Sequence, residues 1–333
     1  MTIAVPVDFA DEALTTEIAS DLALVEDALR ETSFGGDDMF ADVSQVMMDA
    51  GGKRFRAMLV LLAARFGDYR DKRIVPAAAA IELTHLATLF HDDVMDEADI
   101  RRGLPSANSR FGNSVAILVG DYLFARASRI LADLGPDAVR IQAQTFSRLV
   151  DGQLAETVGV QPGQDPLSHY MKVIEDKTGS LIATSGRFGA LFAGAPDVIV
   201  EQIAEACMRI GVAWQLTDDL LDVAASSEES GKSPGTDLKQ GVRSLPVLYA
   251  LRSASTAPEE QRLRSLLSLG ELTDPELHAE ALSLLRSSPA MAEARSTVHS
   301  WIGGAQAIVS GLPDLPARTG FQSLCDFVIT RTG

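Results

Sequence analysis

Two acidic clusters constrain this chain more than any other feature of its sequence. His91-Asp92-Asp93-Val94-Met95-Asp96 and Thr217-Asp218-Asp219-Leu220-Leu221-Asp222 both spell Asp-Asp-x-x-Asp, and each follows an apolar run of helical rhythm, Ile81 to Phe90 and Ile210 to Leu216. A carboxylate standing where a helix would bury leucine costs roughly several kcal/mol, or takes up a proton, unless something cationic offsets it. Residues four apart share a helix face, so Asp92 with Asp96 and Asp218 with Asp222 each form an oxygen-only claw suited to a hard divalent cation, with Asp93 and Asp219 beside them. A lone Asp-Asp pair reads more plainly as a solvated helix face or a helix N-terminus. Two copies in matched apolar settings favour paired metal sites instead.

The rest of the chain predicts helices. With 333 residues and 46% hydrophobic content it can bury a large core, and aromatics at only 6% beside abundant Ala and Leu favour helix over strand. Amphipathic rhythm runs from Asp11 to Leu29, and a short helix is expected after Gly35-Gly36, ending at Gly51-Gly52. It recurs through Phe55 to Phe66, Pro76 to Glu97, Val115 to Leu134, Ala138 to Val158, Pro166 to Phe192 and Asp197 to Ala225. Breakers at Gly103-Leu104-Pro105, Gly135-Pro136, Gly163 and Gly194-Ala195-Pro196 divide these segments. A polar Gly/Ser/Lys loop spans Ser226 to Gly241, and helices resume at Leu245. No linker or short-period repeat intervenes, so the expectation is one all-α domain over 1–333, frayed at 1–10. Its form would be an antiparallel helix bundle with a central active-site cavity, the acidic motifs facing each other across the core.

Net charge of −17 argues against nucleic acid, which needs a basic footprint, and against adhesion to an anionic membrane. No N-terminal leader pattern is present, and no uncharged stretch reaches the length of a membrane span. Cys207 and Cys325 lack metal spacing and read as reduced core thiols, so a soluble, cytoplasmic protein is expected.

Basic residues gather near the acidic motifs. Lys53, Arg54 and Arg56 follow Gly51-Gly52, Arg101 and Arg102 follow the first cluster, Lys177 precedes Thr178, and Lys232 follows Gly231. Singly each is an ordinary solvated cation. Set beside two carboxylate claws, they suggest a polyanion bridged by metal on one side and gripped by Arg and Lys on the other. Diphosphate fits best, since Arg pairs phosphate bidentately and Mg²⁺ combines a few carboxylates with phosphate oxygens. No Gly-x-x-x-x-Gly-Lys-Ser/Thr loop is present, which disfavours a nucleotide triphosphatase.

In these motifs and their order, from Gly51 to about Leu251, the chain resembles the trans-type isoprenyl diphosphate synthases, the polyprenyl synthetase family. Gly51-Gly52-Lys53-Arg54-Phe55-Arg56 is similar to its first basic motif, His91 through Gly103 to its first aspartate-rich motif, Asp176-Lys177-Thr178 to its Lys-Thr motif, and Trp214 through Asp219 to its second aspartate-rich motif. The resemblance implies an isoprenoid-synthase bundle in which Asp92, Asp96 and Asp218, supported by Asp93, Asp219 and Asp222, hold Mg²⁺, three ions per site, on an allylic diphosphate. Arg101, Lys177 and Lys232 would grip that diphosphate. Lys53, Arg56, His85 and Arg102 would grip isopentenyl diphosphate, and Thr178 and Gln215 would lie beside the developing carbocation. One departure stands out: Gly241-Val242-Arg243-Ser244-Leu245-Pro246 replaces the usual Gly-Lys-x-Thr-Leu-Pro, leaving open whether Arg243 supplies the missing lysine's charge.

The implied reaction is ionisation, condensation and elimination, lengthening the chain by one isoprene unit per turn. Product length would be set behind the first claw on its own helix, where Ala87, Thr88, Thr84, Ile81 and Ala77 are small or slender. That helix runs roughly 22 Å from Ala77 to Asp92, so a long all-trans polyprenyl diphosphate is expected, such as a quinone side-chain precursor, which would touch membranes only transiently through its lipophilic product. The alternatives are a farnesyl or geranylgeranyl synthase and a non-catalytic partner subunit. A terpene cyclase would lack the second Asp-Asp-x-x-Asp, and a plain acidic scaffold or calcium buffer would leave the basic residues unexplained. Family members are mostly homodimers, which the helices Val115 to Leu134 and Ala138 to Val158 could accommodate.

Overall fold

The computed structural model describes residues 5, 7, 9–33, 52, 54–101, 103–224 and 234–331. Expectations for Lys53, Arg102, Lys232 and the short helix before Gly51 fall outside them. The described residues are almost wholly helical. The helices are α1 (Glu12–Ser33), α2 (Phe55–Ala64), α3 (Ile74–Met95), α4 (Ala107–Phe111), α5 (Asn113–Leu134), α6 (Pro136–Val158), α7 (Pro166–Ile174), α8 (Ser180–Phe192) and α9 (Asp197–Ala224). They continue with α10 (Thr236–Gln240), α11 (Leu245–Arg252), α12 (Pro258–Leu267), α13 (Pro275–Ser287), α14 (Pro289–Ser310) and α15 (Pro316–Thr330). The expected helices after Asp11 match to within a few residues at either end. Four features were not anticipated, two of them the short helices α4 and α10, the latter inside the stretch expected to be a polar loop. A hairpin of two-residue strands, β1 (Ile100–Arg101) and β2 (Leu104–Pro105), follows the first acidic cluster, and a π-helical turn at Glu175–Gly179 joins α7 to α8.

The chain divides into two compact units. One comprises Met1–Ser147, Leu181–Cys207 and Ile308–Ser323; the other comprises Arg148–Ser180, Met208–Ala307 and Leu324–Gly333. In the first, α3 is the core helix and packs against α1, α2 and α5. Its alanines at 77, 78, 79, 80 and 87 are fully buried, as are Ile81, Leu83 and Phe90, so small residues let neighbouring helices approach closely. By length and composition α3 would pass for a membrane span, but 67% of its apolar window is buried inside the protein. Glu82, itself buried, accepts a hydrogen bond from the Ala57 N–H at 2.9 Å and so ties the start of α2 to α3. Just before α2, Arg54 is held at a φ of 46° with its guanidinium buried against Glu26 of α1 at 2.9 Å. The backbone strain of a non-glycine residue there is offset by a buried ion pair. Where α8 crosses α2, a Cβ at Gly189 would stand 2.0 Å from the Val60 carbonyl oxygen, so only glycine permits the contact.

In the second unit, helices are started by local chemistry. The Asp165 side chain accepts from the Ser168 N–H, with Pro166 in the first turn, and the Asp274 side chain accepts from Glu276 and Leu277, again before a proline. Cys207 and Cys325 are both buried free thiols, and burial pushes the Cys325 thiol up to about 12, which makes it inert.

Candidate active site

The first acidic motif closes α3, with Asp96 as the residue that ends the helix. The helical phase turns Asp93 inward, where it is fully buried, and leaves Asp92 half-buried and Asp96 exposed. The hairpin explains the arginine that trails the motif. It folds back so that Arg101 donates to Asp93 Oδ1 from Nε at 2.6 Å and from Nη2 at 2.5 Å. The other Asp93 oxygen, Oδ2, is buried and has no hydrogen-bond partner. His91 Nε2 lies 3.1 Å from the Ile117 carbonyl oxygen and 3.4 Å from Asp121, with its ring against Phe124. A Cβ at Gly120 would collide with that ring, so His91 locks α3 to α5 and has a structural task.

Behind the claw, Ile81, Thr84 and Ala87 are fully buried, while Thr88 and His85 are half-buried. The Thr88 hydroxyl donates to the His85 carbonyl at 2.7 Å. On the side of α3 that carries Asp92, Ala87 and Thr88 stand one turn earlier, with Phe90 buried nearby.

The second motif lies in the last two turns of α9. Asp219 is nearly buried and receives three donors: the Tyr170 hydroxyl, the Leu245 N–H at 3.1 Å and the Gln215 amide at 3.4 Å. Burial outweighs these donors and raises the Asp219 carboxyl to about 6, while the same burial and the Asp219 charge hold the Tyr170 phenol well above its ordinary range. Asp218 pairs with Arg331 of the C-terminal segment at 2.6 Å, and that guanidinium lies over the Trp214 ring at 4.2 Å. Asp222 is engaged differently. Its two carboxylate oxygens accept the Thr236 and Asp237 N–H groups, each at 3.1 Å, and so begin α10.

The π turn carries Thr178, expected beside the carbocation, and Lys177, expected on the allylic diphosphate. Such turns interrupt α-helices mostly at functional sites, because they aim side chains that a regular helix would turn away. Asp176 anchors it, buried between Arg148 at 2.8 Å and Lys172 at 2.6 Å. Gly152 of α6 lets the turn come close, since a Cβ there would stand 2.7 Å from the Lys177 nitrogen. Lys177 then pairs with Glu156, and the Thr178 hydroxyl donates to Gln215 Oε1 at 3.4 Å. Thr178, Gln215, Asp219 and Tyr170 thus form one connected polar line within the second unit. Asp176 was read only as part of the Lys-Thr motif, and Tyr170, Arg148, Glu156 and Arg331 were not singled out in the sequence, which carries no signal for pairings between such distant positions. Arg56 is half-buried in the first turn of α2, and Arg243 is exposed beside Val242, in the loop whose following Leu245 amide docks on Asp219.

A divalent cation suits the donor set. All six motif residues, three in each unit, offer carboxylate oxygens; one Asp93 oxygen is buried without a hydrogen-bond partner, and burial holds Asp219 reluctant to ionise. Among the described residues, no three His, Cys, Asp or Glu side chains are gathered closely enough to hold an ion unaided. One or two carboxylates at a time is the share Mg²⁺ takes from a protein when diphosphate and water supply the rest.

Comparisons with known proteins show the family and the fold. The polyprenyl synthetase family model matches residues 37–285. A nonaprenyl diphosphate synthase of Mycobacterium tuberculosis is 45% identical over 333 residues, covering 100% of this chain and 98% of that protein. A geranylgeranyl pyrophosphate synthase from Corynebacterium glutamicum, solved with calcium and isoprenyl diphosphate, superposes with a TM-score of 0.88 at 41% identity, covering 98% of this chain and 100% of that one. A decaprenyl diphosphate synthase from Rhodobacter capsulatus superposes with a TM-score of 0.86 at 32% identity, covering 97% and 99%.

Proposed function

The chain belongs to the polyprenyl synthetase family, and from that premise we propose that it condenses an allylic diphosphate with isopentenyl diphosphate to build a long all-trans polyprenyl diphosphate. It is a prenyl diphosphate synthase, a transferase of prenyl groups. The observation that carries the long product is the buried, small-residue face of α3 behind Asp92, where Ala87, Thr84 and Ile81 leave the first turns unblocked. Each methylene buried along such a face contributes about 0.8 kcal/mol.

In this reading the two acidic motifs serve one diphosphate, with three Mg²⁺ ions. When bound, Mg²⁺ would neutralise the departing diphosphate and make it a better leaving group. Arg101, Lys177 and Lys232 grip the allylic diphosphate, which draws Arg101 from Asp93 and Lys177 from Glu156 toward a stronger anion. Lys53, Arg56, His85 and Arg102 grip isopentenyl diphosphate. The Thr178 hydroxyl and the Gln215 amide, already in contact, turn oxygen lone pairs toward developing positive charge. Tyr170 and the Leu245 N–H fix Asp219, so the motif is oriented before substrate arrives. No side-chain base is needed, because the departed diphosphate accepts the proton.

A homodimer is supported by apolar side chains left exposed on two helices, Ile117 and Leu118 on α5, and Phe146, Val150, Leu154 and Val158 at every fourth position of α6. We place the enzyme in the cytoplasm, feeding a quinone side chain. The test is to incubate the purified protein with Mg²⁺, isopentenyl diphosphate and starters of graded length, and to weigh the products. A ladder of lengthened diphosphates is expected. No extension of any starter would refute the catalytic reading and leave a partner subunit.

A further inference from the structure

Within the second unit, the end of the chain sets a cation on the second acidic motif. Arg331 Nη2 donates to Asp218 Oδ1 at 2.6 Å, and the Asp218 side chain is still 44% exposed. Arg331 is the first residue past α15, and its own N–H donates to the Phe327 carbonyl at 3.3 Å, so the helix delivers the side chain to a fixed place. That part of α15 is held by apolar contact: Leu324 and Val328 are fully buried, and the Phe327 ring lies 5.9 Å from that of Trp214 on α9. The guanidinium lies over the same Trp214 ring at 4.2 Å, one turn before Asp218 on the same face of α9. Its other terminal nitrogen, Nη1, is buried without a hydrogen-bond partner.

Stability alone accounts poorly for this pair. A partly exposed ion pair contributes little, and a positive charge just past a helix C-terminus suits the helix dipole wherever it points. A buried donor left unmet is a cost, not a gain. The arrangement is better suited to holding a charge that can be given up. A guanidinium seated on an aromatic face keeps a favourable contact when its carboxylate is taken, so release from Asp218 loses only the ion pair. Until then the carboxylate is neutralised and oriented.

We infer that Arg331 is the resident counter-cation of Asp218, a positioning residue that holds this carboxylate in the metal-free enzyme and gives way, shifting on the Trp214 ring, when Asp218 is recruited to Mg²⁺. The inference rests on the metal reading of the second motif above and adds what sets the Mg²⁺ requirement. Apparent affinity falls with the fraction of sites competent to bind, so an arginine resting on Asp218 raises the Mg²⁺ concentration that the enzyme needs.

The experiment titrates Mg²⁺ by calorimetry into the full chain with inorganic diphosphate present, for the wild type, Arg331→Met and Arg331→Lys. In parallel, tryptophan emission is followed in a Trp301→Phe background, which leaves Trp214 as the single tryptophan. Failure of the wild type to bind Mg²⁺ with diphosphate would sink the metal reading, and the inference with it. Given binding, Arg331→Met should lower the half-saturating Mg²⁺ about 3- to 10-fold, the weight of one partly exposed ion pair with a ring contact. Arg331→Lys, which keeps the charge, should stay nearer the wild type. Mg²⁺ should change Trp214 emission when Arg331 is present and change it much less in Arg331→Met. An unchanged Mg²⁺ requirement in Arg331→Met overturns the inference and leaves the pair a tie for α15. A raised requirement also overturns it, since the arginine would then be a grip on diphosphate. Trp214 emission indifferent to Mg²⁺ with Arg331 in place overturns it as well, and that readout stands even if Arg331→Met fails to fold by circular dichroism.

Discussion

Gly152→Ala would press directly on the π turn that holds Lys177 and Thr178. The added Cβ would lie 2.7 Å from the Lys177 backbone nitrogen and 3.1 Å from both the Asp176 and Lys177 Cβ atoms, where ordinary contact begins at 3.4 Å. Backbone, not a flexible side-chain tip, must therefore retreat by about 0.7 Å, the difference between 2.7 and 3.4 Å. The ion pairs of Asp176 with Arg148 and Lys172, and of Lys177 with Glu156, resist that retreat. Overpacking of this kind costs about 1–3 kcal/mol, which would lower the melting temperature by about 1.4 °C per kcal/mol for a chain of 333 residues. The functional effect should be larger. Thr178 moves with the turn, which disturbs its contact with Gln215, and a misplacement approaching 1 Å lowers turnover about 10- to 100-fold. Steady-state condensation assays beside thermal melts would show turnover falling well beyond the modest loss of stability. Unchanged turnover together with an unchanged melting temperature would refute the close packing of α6 on the π turn.

Two further outcomes follow from the geometry. Ala87→Phe places an aromatic ring in the fully buried turn behind Asp92 and should shorten the product; an unaltered chromatogram would show that the tail does not run along α3. Asp219 should shape the acid side of the stability profile. Its folded carboxyl titrates at about 6 against an ordinary 3.8, so between those values the folded chain keeps a proton that the unfolded chain has released, and stability falls as the pH rises from about 4 to 6. The loss is at most about 3 kcal/mol. Asp219→Asn should flatten that slope in urea titrations at pH 4.5 and 7 without divalent cations, and parallel slopes for variant and wild type would contradict the burial.

Most of the helices were legible because an apolar pattern of helical period is bounded by a glycine or proline. The acidic motifs were legible because carboxylates in apolar helices have few bland explanations. What escaped was of another kind. A π turn adds one residue to one turn, too little to disturb the periodicity of Pro166 to Phe192, so it reads as plain helix. The hairpin after Asp99 is too short for alternation to show. Arg331 stands 113 residues from Asp218 and Tyr170 stands 49 from Asp219, and no local pattern announces such pairings.

Asp222 fastens the start of α10 to the end of α9. Both of its carboxylate oxygens are given to the opening amides of α10, and its carbonyl takes the Gly235 N–H at 2.8 Å. A clasp made from a residue of the acidic motif cannot serve two masters at full strength: a ligand that draws the carboxylate away unfastens a helix start worth about 1 kcal/mol. Amide exchange at Thr236 and Asp237 would then act as a built-in gauge of whether the motif is occupied, quickening as Asp222 is recruited.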